Sequence, residues 1–422
     1  MSNIQAERWQ MYLHALEKPI IKRARLRFLN PDGTTAFALD NNDNTRDKRS
    51  AAFLQDGTLN VNLQNGVRRQ ATVKLSNLDS RFAYNINKLW FGQQIALDEG
   101  LVLADGSDFY LPQGVFYIKD PNYTDEPGDR TASFNLVDKW AYLDGTLFGN
   151  LDGIYEVPVN SSIFEAMQSI LDFERGNGHK IDSAVPIFTE YYDGKFTTLP
   201  DGSKIPLVAT PYTYRCDGAN NTYATILLEL AGMLAAWIGY DANGSLRVDP
   251  SQDDVSDANK PIMWQFTPTR KQYLGRTYTV KNSEVYNDII VRGESLDEYG
   301  QVAGRATNYD PSSPTNANLI GLKTYTIESA GYYTKEVCVD SAVFYLKRKT
   351  ILQESVSIQC PQMFHISENN LVTIRDPRKE GQPEERYLVN GFSRPIAQTG
   401  EMTINATSVQ DFPVATVTSV PM

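Results

Sequence analysis

Polar and apolar residues alternate over residues 58 to 79, TLNVNLQNGVRRQATVKLSNLD. Leu59, Val61 and Leu63 alternate with Asn and Gln, and a second alternating run follows the Asn65-Gly66 dipeptide. Alternation with a period of two predicts a strand with one buried face, and Asn-Gly between two such runs predicts a hairpin. One face of this hairpin therefore belongs to a core, whereas the other face is long and polar.

The two faces determine the length of the hairpin loop. A two-residue Asn65-Gly66 turn would place Leu63 opposite Arg68, apolar against polar. A three-residue loop from Gln64 to Gly66 instead pairs Leu63 with Val67 and Leu59 with Ala71, and it places Gly66 where such a loop needs a left-handed residue. The same register pairs Val61 with Arg69. We expect this charged misfit on the core side to lie near the exposed end of the hairpin.

The polar face of the predicted hairpin comprises Asn60, Asn62, Gln64, Arg68, Gln70, Thr72, Lys74 and Ser76. All of these residues except Arg68 and Lys74 are uncharged. Such a face on a β-sandwich ordinarily contacts bulk solvent.

The first third of the chain has the pattern of a β-rich unit. A short N-terminal helix is predicted within residues 1–17, where Trp9, Leu13 and Leu16 share one side. Besides the hairpin, alternating or apolar runs predict strands at 22–29, 93–97, 114–119 and 132–137, separated by Gly and Asp turns. Closely spaced strands of this kind indicate a barrel or sandwich, here over residues 18–150.

The middle of the chain, residues 151–261, has a mixed α/β pattern. Ser162 and Glu165 form a capping box at the start of a helical stripe. Thr222 is the predicted cap of a second helix, TYATILLELAGMLAAWIG, which is apolar almost all round and therefore buried. The acidic segment 249–261 is the best linker candidate because it is polar and ends at proline.

Strands return over residues 262–412. They include residues 285–294, and a helix beginning near Asp340 precedes the closing strands. Residues 295–320 have the composition of an exposed excursion, and 413–422 form a polar tail. The predicted fold class is therefore mostly β (α+β), with two mostly-β units, at 18–150 and 262–412, flanking a mixed α/β middle region.

Composition and charge exclude several classes of function. The formal charge of -11 argues against broad nucleic-acid affinity, which needs a concentrated positive surface. The longest apolar run, 226–238, is shorter than the roughly 20 residues that cross a membrane, so no membrane insertion is expected. The N-terminus lacks a secretory signal. The three scattered cysteines predict reduced, buried thiols.

The candidate chemistry of the chain is sparse. The three histidines, His14, His179 and His365, show no metal-binding spacing, and a dyad of His179 with Cys216 is the weakest of options. Segment 40–47 has the acidity of a calcium loop but lacks its glycine, and Ala51 stands where the closing Glu should be. We therefore expect no catalytic residue, cofactor or metal, and no enzyme activity.

Two stretches resemble the tail hub (baseplate hub) proteins of tailed bacteriophages. The first is ATVKLSNLDSRF…NKLWFGQQIAL…LPQGVFYIKDPNY, residues 71 to 123. Its matching positions are Asn77, Asp79, Arg81, Phe82, Trp90, Phe91, Gly92, Gln93, Gly114, Phe116 and Ile118. The second stretch is the helix after Asp340 with SVSIQCP, ENNLVTIRDP and RYLVNGFSRPIAQTGEMTINATSV, which resembles the closing tube-like domain of such hubs.

The resemblance implies a homotrimeric ring at the phage tail tip, made in the host cytoplasm. In such hubs the two mostly-β units would be tube-like β-barrel domains flanking the middle region. They would form a pseudo-sixfold ring that joins the sixfold tail tube to a threefold tip. Its implied partners are the distal tail or tail tube protein, the tape-measure protein, and a tip spike or fibre. DNA would pass through the channel without sequence-specific binding.

The resemblance also gives the polar hairpin face two alternative roles. Uncharged Asn60, Asn62, Gln70, Thr72 and Ser76 suit a channel wall that does not grip what slides along it. Arg68 and Lys74 suit contacts to the tape measure or to a neighbouring ring instead.

Two other functions stay open from the sequence. A carbohydrate- or receptor-binding tail protein would use the Tyr-rich loop at 189–214, since tyrosine suits such surfaces. A tail-tip cell-wall hydrolase is disfavoured by the shortage of histidine and by the lack of a catalytic constellation.

Overall fold

The computed structural model describes most of the chain. The described residues are 3–42, 54–77, 80, 82, 92–127, 129–174, 180–182, 186–188, 192–198, 202–218, 221–234, 236–250, 260–280, 283, 285–297, 300–328, 332, 334–350, 354–376, 384–408 and 416–418. The predicted linker at 249–261 and the acidic segment at 40–47 fall largely outside them.

The N-terminal third consists of one helix and seven strands. They are α1 (Asn3–Ala15), β1 (Lys22–Leu29), β2 (Thr35–Asp40), β3 (Leu54–Asn62), β4 (Arg69–Ser76), β5 (Gln94–Val102), β6 (Asp108–Glu126) and β7 (Asp129–Asp138), followed by a 3₁₀ turn at Lys139–Tyr142. The predicted hairpin register is confirmed, because Leu59 pairs with Ala71 and Val61 with Arg69. Gly66 has φ +85°, as the three-residue loop requires.

The middle region is mixed. It contains β8 (Tyr155–Val157), α2 (Ile163–Leu171), β9 (Ile187–Phe188), β10 (Phe196–Thr198), β11 (Lys204–Pro206), β12 (Tyr214–Cys216), α3 (Tyr223–Met233), β13 (Ala236–Tyr240) and β14 (Leu246–Pro250). Ser162 and Thr222 cap their helices as predicted. The predicted length of the second helix was wrong, because residues 236–240 leave it and pair with β14 as a strand.

The C-terminal part contains β15 (Ile262–Phe266), β16 (Gly275–Val280), β17 (Asp288–Asp297), β18 (Gly300–Thr307), α4 (Ala317–Ile320), β19 (Thr324–Glu328), α5 (Lys335–Lys349), β20 (Glu354–Pro361), β21 (Leu371–Ile374), β22 (Glu385–Pro395), β23 (Glu401–Ser408) and β24 (Thr416–Thr418). The helix predicted near Asp340 begins earlier, at Lys335, where Thr334 caps it. The excursion predicted at 295–320 was wrong, since much of this segment is strand, helix or buried turn.

One large sheet runs through both β-rich parts of the chain. Its strand order is β16-β20-β23-β22-β3-β4-β7-β6-β5-β1-β2, with β21 and β15 joined beside β22. The two parts meet where β22 pairs with β3, with Phe392 opposite Val61. The fold is therefore mostly β, as predicted. Its sheets are largely antiparallel, and the path of the large sheet is open among the described residues.

The buried apolar residues form three separate clusters. The first unites inward side chains of the large sheet from both ends of the sequence, such as Val61 and Ile404. The second lies in the middle region around α2 and α3. The third is small and packs α5 on β17 and β18 through residues such as Ile289 and Ala342.

Buried ion pairs cross the first cluster. Arg394 donates from Nε to a Glu99 carboxylate oxygen at 2.9 Å, and Lys22 Nζ lies 2.9 Å from the other Glu99 oxygen. Arg69 pairs with Glu368 and donates to the Gln113 carbonyl at 2.9 Å. The expectation that Arg69 lies near an exposed end is therefore wrong. Its side chain is only 1 % exposed. The guanidinium can be buried because the Glu368 carboxylate, which is distant in the sequence, neutralises its charge.

Helix α1 docks through an aromatic cluster. His365 lies edge-on to Trp9, Tyr12 and Trp264 at ring-centroid distances of 5.7, 5.6 and 5.5 Å. Tyr12 is fully buried and its hydroxyl lies 2.9 Å from His365 Nδ1. Burial lowers the pKa of His365 to about 4 because the apolar surroundings disfavour its charged form.

We expect Glu99→Gln to destabilise the fold by about 3–5 kcal/mol, because it leaves Arg394 and Lys22 buried without their counter-charge. The free energy of unfolding in urea measures this loss. Arg130→Ala is the control, because the Arg130–Asp125 pair is exposed and should contribute less than about 1 kcal/mol. Equal effects of the two variants would contradict this account of the core.

We also expect the docking of α1 to weaken in acid. The pKa of His365 is lower in the folded chain than its ordinary 6.5, so the unfolded chain binds its proton first and stability falls as pH drops from about 6.5 to about 4. The stability advantage of wild type over His365→Gln should shrink by about 2 kcal/mol across this window.

Chemical denaturation at a series of pH values measures this difference. Asp138, whose pKa burial raises to about 6, contributes in the opposite direction but is present in both variants and cancels. A difference between the variants that is independent of pH would contradict the burial of a neutral imidazole.

Candidate functional site

The candidate site is the solvent side of the large sheet between β16 and β7. Pairing partners across an antiparallel sheet point to the same side, so the register identifies the residues that share this side. Asn60 lies opposite Gln70 on β4 and Ser393 on β22, and Ser393 in turn lies opposite Thr403. Thr403 and Asn405 lie opposite Gln359 and Ser357. The polar hairpin face thus continues across seven strands.

We call this surface the polar sheet face. Its residues are Thr277, Thr279, Ser355, Ser357, Gln359, Thr403, Asn405, Thr407, Ser393, Thr58, Asn60, Asn62, Gln70, Thr72, Lys74, Ser133 and Asn135. Their inward neighbours, such as Ile358, Ile404 and Val73, belong to the core. Along β20 and β23 this alternation separates a buried side from a solvent-exposed side, whereas on the edge strand β16 Tyr278 is also exposed.

The predicted hairpin residues divide into two groups. Asn60, Asn62, Gln64, Gln70 and Thr72 are exposed, and Lys74 is partly exposed. Arg68 and Ser76 are instead buried, at 3 % and 1 % exposure, and do not contribute to the open face of the chain.

The middle region accounts for the burial of Arg68. The Gly66 amide donates to the Ile238 carbonyl at 3.0 Å, so the hairpin loop contacts β13. The Arg68 side chain packs on Gly239, where an added Cβ would lie 2.4 Å from Arg68 Nε. The backbone amides of Arg68 and Arg69 donate to Asp138 at 2.8 and 3.0 Å. Only the loop end of the hairpin is therefore covered by the middle region.

The 3₁₀ turn after β7 limits the face at its other side. Tyr117 on β6 follows Val137 in the pairing, yet it is buried against Tyr142 with ring centroids 3.9 Å apart. Beyond β7 only the end of β6 near Lys119, which pairs with Asn135, is partly exposed among these paired residues.

The polar sheet face carries little charge. Its ionic side chains are Lys74, Asp56 opposite it in the β3–β4 register, and Glu401 at the start of β23. The other members are Asn, Gln, Ser and Thr, in a chain whose net charge is -11. Acidic residues are therefore sparse on this surface.

Sequence reasoning found the hairpin but missed the second half of the face. The missed residues on β20 and β23 alternate in SVSIQC and EMTINATS, so a signal was present in the sequence. What the sequence did not contain was the β3–β22 pairing that joins the two runs into one surface.

Part of the motif that carried the family resemblance has a structural role. Asn77 is buried, and its side-chain oxygen accepts a hydrogen bond from the Phe82 amide at 2.8 Å. Phe82 is fully buried and packs on Phe28 and Phe134. Asp79, Arg81, Trp90 and Phe91 lie outside the described residues.

The other candidate groups lie apart from one another. His365 is held by aromatic rings, His14 is exposed on the outer side of α1, and His179 lies outside the described residues. Cys216, Cys338 and Cys360 are buried free thiols. Among the residues that the structure describes, no His, Cys, Asp and Glu side chains are grouped to hold a metal ion. No helix in the described part of the chain is long and apolar enough to span a membrane.

The Tyr-rich loop at 189–214 uses its described tyrosines internally. Tyr192 is buried beside Phe164, and Tyr212 donates to Glu229 at 2.9 Å. Tyr212 and Tyr214 both pack against the middle cluster. The described part of this loop therefore does not present a row of exposed tyrosine rings to a glycan.

Comparison with known proteins finds similarity only at the level of the fold. No protein-family model matches the chain, and no curated protein matches its sequence. Among solved structures, a tail protein from Neisseria meningitidis MC58 superimposes with a TM-score of 0.56 at 9% identity, covering 92% of this chain and 96% of that one.

Two prophage tail proteins are similar to the same extent. The 43 kDa tail protein of prophage MuSo2 from Shewanella oneidensis has a TM-score of 0.54 at 12% identity, with coverage of 92% and 98%. Prophage tail protein gp18 from Listeria monocytogenes EGD-e has a TM-score of 0.51 at 8% identity, with coverage of 91% and 94%. The chain has the fold of phage tail proteins, which confirms the resemblance seen in the sequence.

We expect the polar sheet face to contribute little to stability. Asn405→Ser should change the free energy of unfolding by less than about 0.5 kcal/mol, because Asn405 is exposed. The adjacent Ile404→Ala should cost about 2–5 kcal/mol, because Ile404 is fully buried in the core. Urea denaturation measures both. A large loss in Asn405→Ser would mean that this face is packed rather than open.

Proposed function

We propose that the chain is a structural hub at the tip of a phage tail, without catalysis of its own. In this proposal three copies form a ring that joins the sixfold tail tube to a threefold tip. The polar sheet face lines the channel that holds the tape-measure protein and later passes DNA. The observation that carries the proposal is the continuity of this polar, weakly charged face across strands from both β-rich parts of the chain.

The chemistry of the face supports a channel wall. Lys and Arg would bind phosphates and release counterions, which makes a surface adhere to DNA. A wall of carboxylates would repel DNA along its whole length. Asn, Gln, Ser and Thr keep the wall hydrated while doing neither, and Lys74 lies opposite Asp56. Such a wall allows a polyanion to slide.

The strand arrangement supports a ring of three copies with pseudo-sixfold symmetry. On one side of the β3–β22 junction the path runs β3, β4, β7, β6 and continues through β5, β1 and β2, and on the other side it runs β22, β23, β20 and β16. If the first four strands on each side form one unit, each copy supplies two units and three copies supply six. We propose these units as the channel-facing sheets of two tube-like domains, at 18–150 and 262–412, which flank the middle region at 151–261.

Two open edges support closure of the ring between copies. Strand β16 is one end of the sheet path, and Thr277, Tyr278 and Thr279 on it are exposed. The first part of β6 pairs with β5, but Lys119 to Glu126 pair only with β7 among the described strands. We propose that β16 of one copy lies against this free part of β6 in the next, because unpaired edges favour strand addition.

The remaining partners follow from the fold and the family resemblance. A ring in this position contacts a distal tail or tail tube protein above, the tape-measure protein inside, and a tip spike or fibre below. The protein would be made in the host cytoplasm and act in the virion.

We expect a trimer of the 47.4 kDa chain, alone or with its tail neighbours present, by mass photometry. Negative-stain averages should show a central hole. A stable monomer under both conditions would contradict the hub.

Thiol labelling tests the channel face in the same trimer. The native cysteines are buried, so Thr72→Cys and Ala104→Cys each introduce one accessible thiol. A small maleimide should label both, whereas a maleimide on a bulky polymer should label Thr72→Cys much more slowly than Ala104→Cys, which lies in an exposed turn. Equal rates with the bulky reagent in an intact trimer would refute the channel assignment and leave the trimer standing.

A further inference from the structure

An exposed apolar patch lies on the small unit built around α5. Leu319, Ile320 and Leu322 are 69%, 55% and 54% exposed, and Tyr325 is 37% exposed. They occupy one continuous segment, from α4 into the start of β19. We call these four residues the apolar patch. Single exposed apolar residues are ordinary, but adjacent ones on a monomer mark an interaction surface.

The segment that carries the patch is held rigidly. Asn287 is fully buried, and its amide donates to the Gly321 carbonyl at 2.8 Å and accepts from the Lys323 amide at 2.7 Å. Asn308 donates to Ser313 and Thr315 at 2.8 and 3.1 Å. Buried amides whose hydrogen bonds are satisfied fix a backbone in one conformation. The exposed leucines are therefore presented on a preorganised support, which lowers the entropic cost of binding.

The patch adjoins an open sheet edge. Strand β19 pairs in parallel with β17 and is the end of its four-stranded sheet, and four of its five residues are exposed. The opposite edge of this sheet, on β18, is already covered by the three-residue strand β24. The β18 edge of this sheet therefore already accepts a short extended segment, β24. The β19 edge has no partner strand among the described strands.

The charge beside the patch is positive in an otherwise acidic chain. Lys323 Nζ lies 4.9 Å from the Tyr286 ring centroid, and Lys349 Nζ lies 5.3 Å from that of Tyr325. At the far end of β19, Glu328 faces Arg292 at 3.6 Å. This arrangement is complementary to a ligand whose carboxylates lie at one end, with that end beside Lys323 and Lys349.

We propose that the β19 edge and the apolar patch bind an extended segment of another protein by strand addition. The segment has alternating apolar side chains and an acidic end beside Lys323 and Lys349. Main-chain hydrogen bonds to the open edge would supply affinity, and the patch would supply specificity. This proposal stands independently of the channel, because it uses neither the polar sheet face nor the trimer contacts.

A displayed library of random ten-residue peptides tests the proposal on the full chain. Selection on wild type, with counter-selection on the double variant Leu319→Ser/Leu322→Ser, should enrich alternating apolar sequences with Asp or Glu at one end. Fluorescein-labelled synthetic copies then report affinity by anisotropy. Binding should weaken at least about tenfold in the double variant, as is typical when central apolar anchors are removed.

Two controls make the outcome specific. Leu274→Ser removes a leucine of similar exposure, 50%, from a different surface and should leave affinity within about twofold. Peptides N-methylated at alternate positions should lose binding in one register only, because strand addition uses alternate main-chain groups. Leu274→Ser and the double variant Leu319→Ser/Leu322→Ser should both keep the wild-type melting curve, because the substituted side chains are exposed.

Three results would overturn the proposal. They are the absence of enrichment above background, equal binding to wild type and the double variant, and loss of self-association in the double variant without any peptide. The last result would identify a second copy of this chain as the occupant. A failure of the thiol-labelling test on the polar sheet face would not alter any of these readouts.

Discussion

The fold depends on buried charges that are neutralised across the sequence. Arg394 on β22 forms an ion pair with Glu99 on β5, and Arg69 on β4 forms one with Glu368. A buried ion without its partner costs several kcal/mol, so neither β-rich part of the chain has a neutral interior alone. The same contacts bring β22 alongside β3, since both arginines lie on strands next to that junction. The continuous sheet, and with it the candidate site, follows from this pairing.

The pairing of β22 with β3 also determines which side of the sheet is exposed to solvent. A shift of one residue between β22 and β3 would turn Ser393 inward and bring Arg394 to the surface. The buried arginines therefore act against slippage, because moving either one would separate it from its carboxylate. The inward-facing residues therefore determine which residues form the polar sheet face. Its Asn, Gln, Ser and Thr side chains are outward because the arginines, leucines and isoleucines between them are held inward.

Local features of the fold were predictable from the sequence, and distant ones were not. The hairpin register followed from alternation and from Gly66, all within residues 59–71. The burial of Arg69 did not, because its partner Glu368 is 299 positions away. The apolar residues 236–240 fit either the end of a helix or a buried strand. Their pairing with β14, which the local sequence does not show, makes them a strand. Segment 295–320 looked exposed because it is polar, yet Asn308 and its neighbours satisfy one another internally.

Two observations bear on the proposal that the polar sheet face is a channel wall. Arg68 and Lys74 were the reasons to consider a contact with the tape measure or with a neighbouring ring, and Arg68 is buried against Gly239 of its own chain. Lys74 lies opposite Asp56 at the other end of the hairpin. An interface between rings would be expected to bury apolar or paired groups in a compact area. The polar sheet face carries few charges across its seven strands, which supports the proposed wall, because sliding requires the absence of any deep local minimum.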